Sequence, residues 1–202
     1  SLETATFALL MTGLTAATMT GSCDAPVTWI ATACAIAALL TRVDGFVYVG
    51  VVTGSALLVS DQRRRREILV KVLLPSLAVF AAYNIWRVWY FGSVLPAPVA
   101  TKVWPKLQVG GHMLVKAMPQ NYARAFYGLY GVVPFVVLCG AGLAWARTRA
   151  ATACAVAAGA VTTYLAVVGD WMFGFRFFLP VLPWLALLIA HSISVVTIRT
   201  RT

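Results

Sequence analysis

Apolar residues run along this chain in long unbroken stretches, and polar residues are confined to short gaps between them. Seven stretches, 2–21, 26–41, 43–60, 67–86, 127–146, 150–169 and 177–197, reach or approach the roughly 20 apolar residues that a helix needs to cross a hydrocarbon core. They predict an all-α, polytopic bundle of about seven transmembrane segments, a single transmembrane domain over 1–202. The second and third stretches are short, and only Arg42 parts them; short helices at membrane depth are tolerated where they line a polar cavity. Between the fourth and fifth stretches, Gly92, Pro96, Pro98 and Pro105 forbid a continued helix. The segment 91–126 therefore reads as an interfacial or re-entrant loop, with an interfacial helix over about 111–126 broken at Pro119.

Composition agrees with this pattern. At 61% hydrophobic and 11% charged residues, with a mean hydropathy of +0.85, the chain lacks the polar surface of a soluble domain and is too apolar for disorder. The net charge of +10 raises nucleic acid as a partner, but no basic soluble module is present to use it, so the partners expected are a lipid bilayer and molecules dissolved in it. The opening Ser1-Leu2-Glu3-Thr4 has no initiator Met and no basic flank, which is unlike a signal peptide; the chain reads as a piece of a longer protein.

Lys and Arg in short loops set the orientation. Arg63, Arg64, Arg65 and Arg66 mark the cytoplasmic side, and alternation of seven spans then puts Arg147, Arg149, Arg199 and Arg201 there as well. Trp86, Trp89 and Trp171 fall at the outer interface, and Trp29 and Trp145 at the inner one. A multi-pass protein of the cell membrane is expected, with its chemistry on the outer face. That face collects Arg42, Arg87, Lys102, Lys106, Lys116, Arg124 and Arg176 against the positive-inside rule, and charges so placed usually have a partner or a function. Snorkelling to headgroups is the plainer alternative, chiefly for Lys116 and Arg124.

Three polar groups stand out. Thr41-Arg42-Val43-Asp44-Gly45 is either a self-neutralising ion pair at a tight turn, with Gly45 permitting the bend, or an Arg for an anionic headgroup beside an Asp that orients it or a sugar hydroxyl. Gly169-Asp170-Trp171-Met172-Phe173-Gly174-Phe175-Arg176 offers the same choice, with Trp171 as an apolar face for a sugar ring or polyprenyl chain. From Arg87 through Tyr90 to Lys102 and Lys106, aromatic residues alternate with cations, as in a groove for a lipid phosphate or in an amphipathic loop lying on headgroups. No cofactor is evident: His112 and His191 are far apart and no Gly-rich nucleotide loop occurs. Cys23, Cys34, Cys139 and Cys154 lack metal-site spacing and read as small apolar residues.

In order along the chain come a Leu-Glu-Thr start to a span, an Arg-x-Asp-Gly turn, an Arg-x-x-Tyr-x-Gly-x-x-Leu-Pro loop reaching a Lys, and a Gly-Asp-Trp-Met…Gly-x-Arg-Phe turn. This series resembles the multi-span GT-C glycosyltransferases that use polyprenyl-phosphate sugars, in particular the actinobacterial terminal arabinofuranosyltransferases of cell-wall arabinan assembly. The resemblance implies transfer of a sugar from a polyprenyl-phosphate donor to a cell-envelope glycan acceptor on the outer face. It carries over onto Glu3, Arg42, Asp44, Arg87, Tyr90, Gly92, Lys102, Asp170 and Arg176, with Trp171 as a neighbouring substrate contact. Val43, Ala97-Pro98 and Val168 depart from the pattern, and the second of these removes side-chain hydrogen bonders from the loop. The resemblance also implies that the catalytic carboxylate belongs to a first outer loop preceding Ser1, so no catalytic residue is assigned, and that a divalent metal could assist, its ligands not visible in this chain. The rival classes are a transporter or flippase of a lipid-linked or anionic solute, which predicts midplane charges and inverted repeats, and a non-catalytic scaffold, which predicts outer charges aimed at bulk water.

Overall fold

The computed structural model describes residues 2–19, 25–42, 44–92, 128, 148–168 and 176–199. Every regular element among them is helical: α1 (Leu2–Met19), α2 (Ala25–Thr41), α3 (Gly45–Val59), α4 (Gln62–Glu67), a π-helical stretch Ile68–Leu73, α5 (Leu74–Phe91), α6 (Arg149–Val168), a 3₁₀ turn Arg176–Val181 and α7 (Leu182–Arg199). Six of the seven predicted stretches fall on these helices. The seventh, 127–146, and the predicted loop 91–126 lie outside the described residues, except for Phe91, Gly92 and Gly128. Among the described residues two helices, Leu2–Met19 and the continuous 30-residue rod Gln62–Phe91, are long and apolar enough to cross a membrane; α2 and α3 are apolar but shorter.

Small residues set how closely the helices approach. On α2, Ala31, Ala35 and Ala38 recur at spacings of four and three and are buried, and α1 lies along this helix. α1 contributes Phe7, Met11 and Leu14 at the same spacings, and a Cβ on its Gly13 would come within 3.0 Å of Cys34 Sγ on α2. The pairing of α6 with α3 follows the same logic, through buried Cys154, Ala157, Ala158 and Val161 against Tyr48, Val52 and Ala56. α7 packs on α6 and on the 3₁₀ turn, which itself rests on α1.

Among the described residues, the buried side-chain polar atoms are paired except for Arg64 Nε. Trp184 of α7 is wholly buried, and its indole N–H donates to Thr15 Oγ1 of α1 at 2.9 Å; the Thr15 hydroxyl donates in turn to the Met11 carbonyl at 2.7 Å. Threonines and serines elsewhere return their hydroxyl protons to carbonyls one turn back, as Thr53 does to Val49 and Ser76 to Val72.

Pro75 explains the π-helical stretch. A proline inside a helix donates no N–H and drives its ring toward the carbonyl four residues back, here that of Lys71. The chain widens over Ile68–Leu73, with the Leu74 N–H reaching back five residues to the Leu69 carbonyl. The Lys71 carbonyl then accepts a hydrogen bond from Thr32 Oγ1 on α2 at 2.7 Å.

The α5 part of the rod is turned inside out relative to a helix in a water-soluble core. In α5, Ser76 is the buried residue, while Leu74, Ile85 and Trp89 are 63%, 70% and 81% exposed. Its ends also correct the sequence-based boundary of 67–86. At the start, arginine is a good helix former, so the cationic run is the helix's first turn instead of a loop. At the far end the helix runs on through Arg87 and Tyr90 to Phe91, where Gly92 at φ 69° closes it with its N–H on the Val88 carbonyl at 2.9 Å.

Candidate functional site

Among the described residues the closest ion pair lies where α2 gives way to α3. Arg42 and Asp44 face each other there in a two-pronged ion pair, Nε to Oδ1 at 2.9 Å and Nη2 to Oδ2 at 3.1 Å. Both side chains are well buried, with 8% and 16% of their surface exposed. Asp44 precedes the first residue of α3 but makes no capping bond with its side chain. Its carboxylate is committed to Arg42.

Gly45 makes this turn possible through space. Its N–H donates to the Arg42 carbonyl at 3.0 Å, and an added Cβ would collide with the carbonyl of Ala38. Gly45 thus permits the bend by its lack of a side chain and not by a left-handed torsion; among the described residues Gly92 is the glycine at positive φ. Gly45→Ala is expected to destabilise the fold by about 1–3 kcal/mol, because a backbone carbonyl cannot rotate away. Gly50→Ala on the same helix, with nothing within 4 Å of its new methyl, serves as the comparison and should be neutral or slightly stabilising in thermal unfolding. Equal melting temperatures for the two variants would contradict a steric role for Gly45.

Aromatic rings complete the turn's surroundings. The Arg42 guanidinium lies over the Phe7 ring of α1, 5.2 Å from its centroid, and Phe7 meets Tyr48 of α3 edge to face at 5.2 Å. Tyr164 of α6 is within electrostatic reach of both charges, and Glu3, exposed in the first turn of α1, acts on Arg42 as well. Burial alone would lower the pKa of Arg42. The hydrogen bonds and charge of Asp44, with contributions from Tyr48 and Glu3, outweigh burial and hold it above the ordinary arginine value. Four helices thus converge on a cation whose charge and orientation are both fixed.

The other expected site residues are distributed differently. Arg87 and Tyr90 are both helical, on the last turns of α5, and among the described residues their ring contacts stay within that helix: Arg87 lies 6.0 Å from the centroid of the Tyr83 ring, and Tyr90 stacks on Trp86 at 5.6 Å. Arg176 begins the 3₁₀ turn that packs on α1, with its side chain outside what is described. Lys102, Asp170 and Trp171 lie outside the described residues. The sequence therefore identified Arg42 and Asp44 correctly as a pair, but missed Phe7, Tyr48 and Tyr164, which are indistinguishable by pattern from ordinary core aromatics. Their sole signal is position: each stands within a turn or two of a helix end that the turn adjoins.

Among the described residues no group of three or more His, Cys, Asp or Glu side chains could hold a metal ion. Cys34 and Cys154 are free thiols, the latter 3.7 Å from Met19 Sδ. No protein-family model, curated protein or solved structure matches this chain.

Proposed function

We propose that this chain is part of a polytopic membrane glycosyltransferase of GT-C type that moves a sugar from a polyprenyl-phosphate donor to a glycan acceptor at the outer face of the cell membrane. The observation that carries this reading is the Arg42–Asp44 turn: a guanidinium kept charged, fixed in plane by a carboxylate and backed by an aromatic ring, at one end of a bundle with apolar outer faces. Desolvating an ion pair is unfavourable by several kcal/mol per ion, and a pair with no further role could be replaced by apolar residues. The lipid-facing reading of the long rod rests on its exposed leucines and aromatics, which water would penalise. In this reading the Arg42 end lies outside and the Arg63–Arg66 end inside, because the densest run of arginines marks the cytoplasmic side.

In the proposed reaction, an acceptor hydroxyl oxygen bonds to the anomeric carbon as the bond from that carbon to the phosphate oxygen breaks. The electron pair leaves with the lipid phosphate, and a carboxylate acting as general base takes the acceptor's proton. Arg42 would stabilise the charge growing on the departing phosphate, and Asp44 would hold Arg42 in place. Arg87, Tyr90, Lys102, Asp170, Trp171 and Arg176 remain proposed substrate contacts.

The test is a transfer assay on the full-length protein in proteoliposomes, with a radiolabelled polyprenyl-phosphate pentose and a soluble oligosaccharide acceptor. Label should appear in the acceptor on the side bearing the α2–α3 turn. Label that crosses the bilayer still attached to its lipid, with none in the acceptor, would establish a transporter instead.

A further inference from the structure

At the other end of the bundle from Arg42, six cations, Arg63, Arg64, Arg65, Arg66, Lys71 and Arg149, gather with Asp61 and Glu67 as the acidic residues among them. Two of the arginines are used to close helix ends. Arg64 Nη2 donates to the Ala17 carbonyl near the end of α1 at 2.9 Å, and Arg65 Nε donates to the Leu57 carbonyl near the end of α3 at 2.8 Å. Cations are favoured at such helix C-termini. Arg63 and Arg66 are not used in this way. Both are exposed and make no hydrogen bond or ion pair among the described residues, and they sit near the start of a helix, where its dipole disfavours cations. Arg149 has an ion pair with Asp61 at 3.8 Å, but both side chains are more than half exposed, which makes it weak. Arg64 Nε is buried without a hydrogen-bond partner.

These residues surround usable space. A cavity of about 160 Å³ opens between the ends of α1 and α3 and the start of α6, lined by Thr18, Asp61, Arg63, Arg64 and Arg149. At about 30 Å³ per water molecule in the liquid, that is roughly five waters, enough for a phosphate group. A shallow groove of about 920 Å³ that shares Arg63 with this cavity runs along the rod, passing from Arg66 and Glu67 to Leu69 and Val70. Those two apolar residues are 44% and 55% exposed, and Leu74 lies one turn further on. An anion site that opens onto an apolar strip matches a molecule with both parts. We propose that this end binds the phosphate of an anionic phospholipid headgroup, with the acyl chains lying against Leu69, Val70 and Leu74. The proposal rests on the membrane placement given above, which puts this end at the anionic inner leaflet, and is independent of sugar transfer.

The full chain, purified in detergent, is titrated with phosphatidylglycerol, phosphatidylcholine or inorganic phosphate, and binding is read by native mass spectrometry and thermal unfolding. Phosphatidylglycerol should bind saturably and raise the melting temperature. Its affinity should fall about tenfold or more in R63Q/R149Q, whose lipid-free melting temperature stays at the wild-type value, and should weaken with salt. Arg64 is left intact because it caps α1, and R66Q provides a second variant with the same expected direction. Equal retention of phosphatidylcholine, or undiminished phosphatidylglycerol binding in both variants, would overturn the site. Stabilisation by inorganic phosphate as large as by the lipid would overturn the lipid as its ligand. Recovery of the chain from cells in aqueous buffer without detergent would instead overturn the membrane placement.

Discussion

Replacing Trp184 with alanine should remove about 3–5 kcal/mol of stability, the range for truncating a large, wholly buried aromatic side chain. The site cannot collapse easily, because Trp184 lies on α7 and its indole reaches Thr15 on α1. With roughly 2–4 °C per kcal/mol for a chain of this size, the melting temperature in detergent micelles should drop by about 10 °C. Trp184→Phe separates volume from the hydrogen bond. The Thr15 hydroxyl keeps its own donation to the Met11 carbonyl and loses only the N–H it accepts, so the loss should be about 1–2 kcal/mol plus a small packing defect. Near-UV circular dichroism during heating checks both variants; a Trp184→Ala protein melting within a degree or two of wild type would show that α7 does not hold α1 in the manner described.

Arg42→Gln should lower sugar transfer by the full-length enzyme by a factor on the order of 10²–10³, the effect of removing one oriented donor from a developing oxyanion. The variant also leaves Asp44 as a largely buried carboxylate without its partner, so some loss of folded protein is expected on top. Arg42→Gln/Asp44→Asn removes that second effect by neutralising the carboxylate. Abundance and melting temperature should recover toward wild type in the double variant while transfer stays low. Asp44→Asn alone should retain more activity than Arg42→Gln, since it loosens the guanidinium without discharging it. Full transfer by the double variant would make the pair a structural staple with no part in catalysis.

The helices of this chain were legible because hydropathy reports directly where apolar backbone must satisfy itself by helical bonding. Their ends were not. Hydropathy marks where apolar side chains stop, and the rod Gln62–Phe91 passes that mark in both directions: arginines carry it on at one end and an aromatic cluster at the other. Gly92 did mark the true end, because only its torsion stops the helix there. At the candidate site, Arg42 and Asp44 were conspicuous as charges two residues apart between apolar runs. Phe7 and Tyr164 reach the same place from 35 residues before Arg42 and 122 after it, and no local pattern encodes a meeting of that kind. The role of Gly45 was half legible: the glycine was visible, but the Ala38 carbonyl that forbids a side chain there was not.

Pro75 has a mechanical consequence. A proline ordinarily gives a helix a place to flex, yet here the carbonyl it leaves without a donor is completed from outside, by Thr32. Swinging the rod at this point would strand that oxygen in an apolar surrounding, so the weakest turn of the longest helix is also the one bolted to its neighbour. That bond ties α2, with Arg42 just past its far end, to the rod at its proline, so bending the rod there would cost about 1 kcal/mol more than at a proline without such a partner.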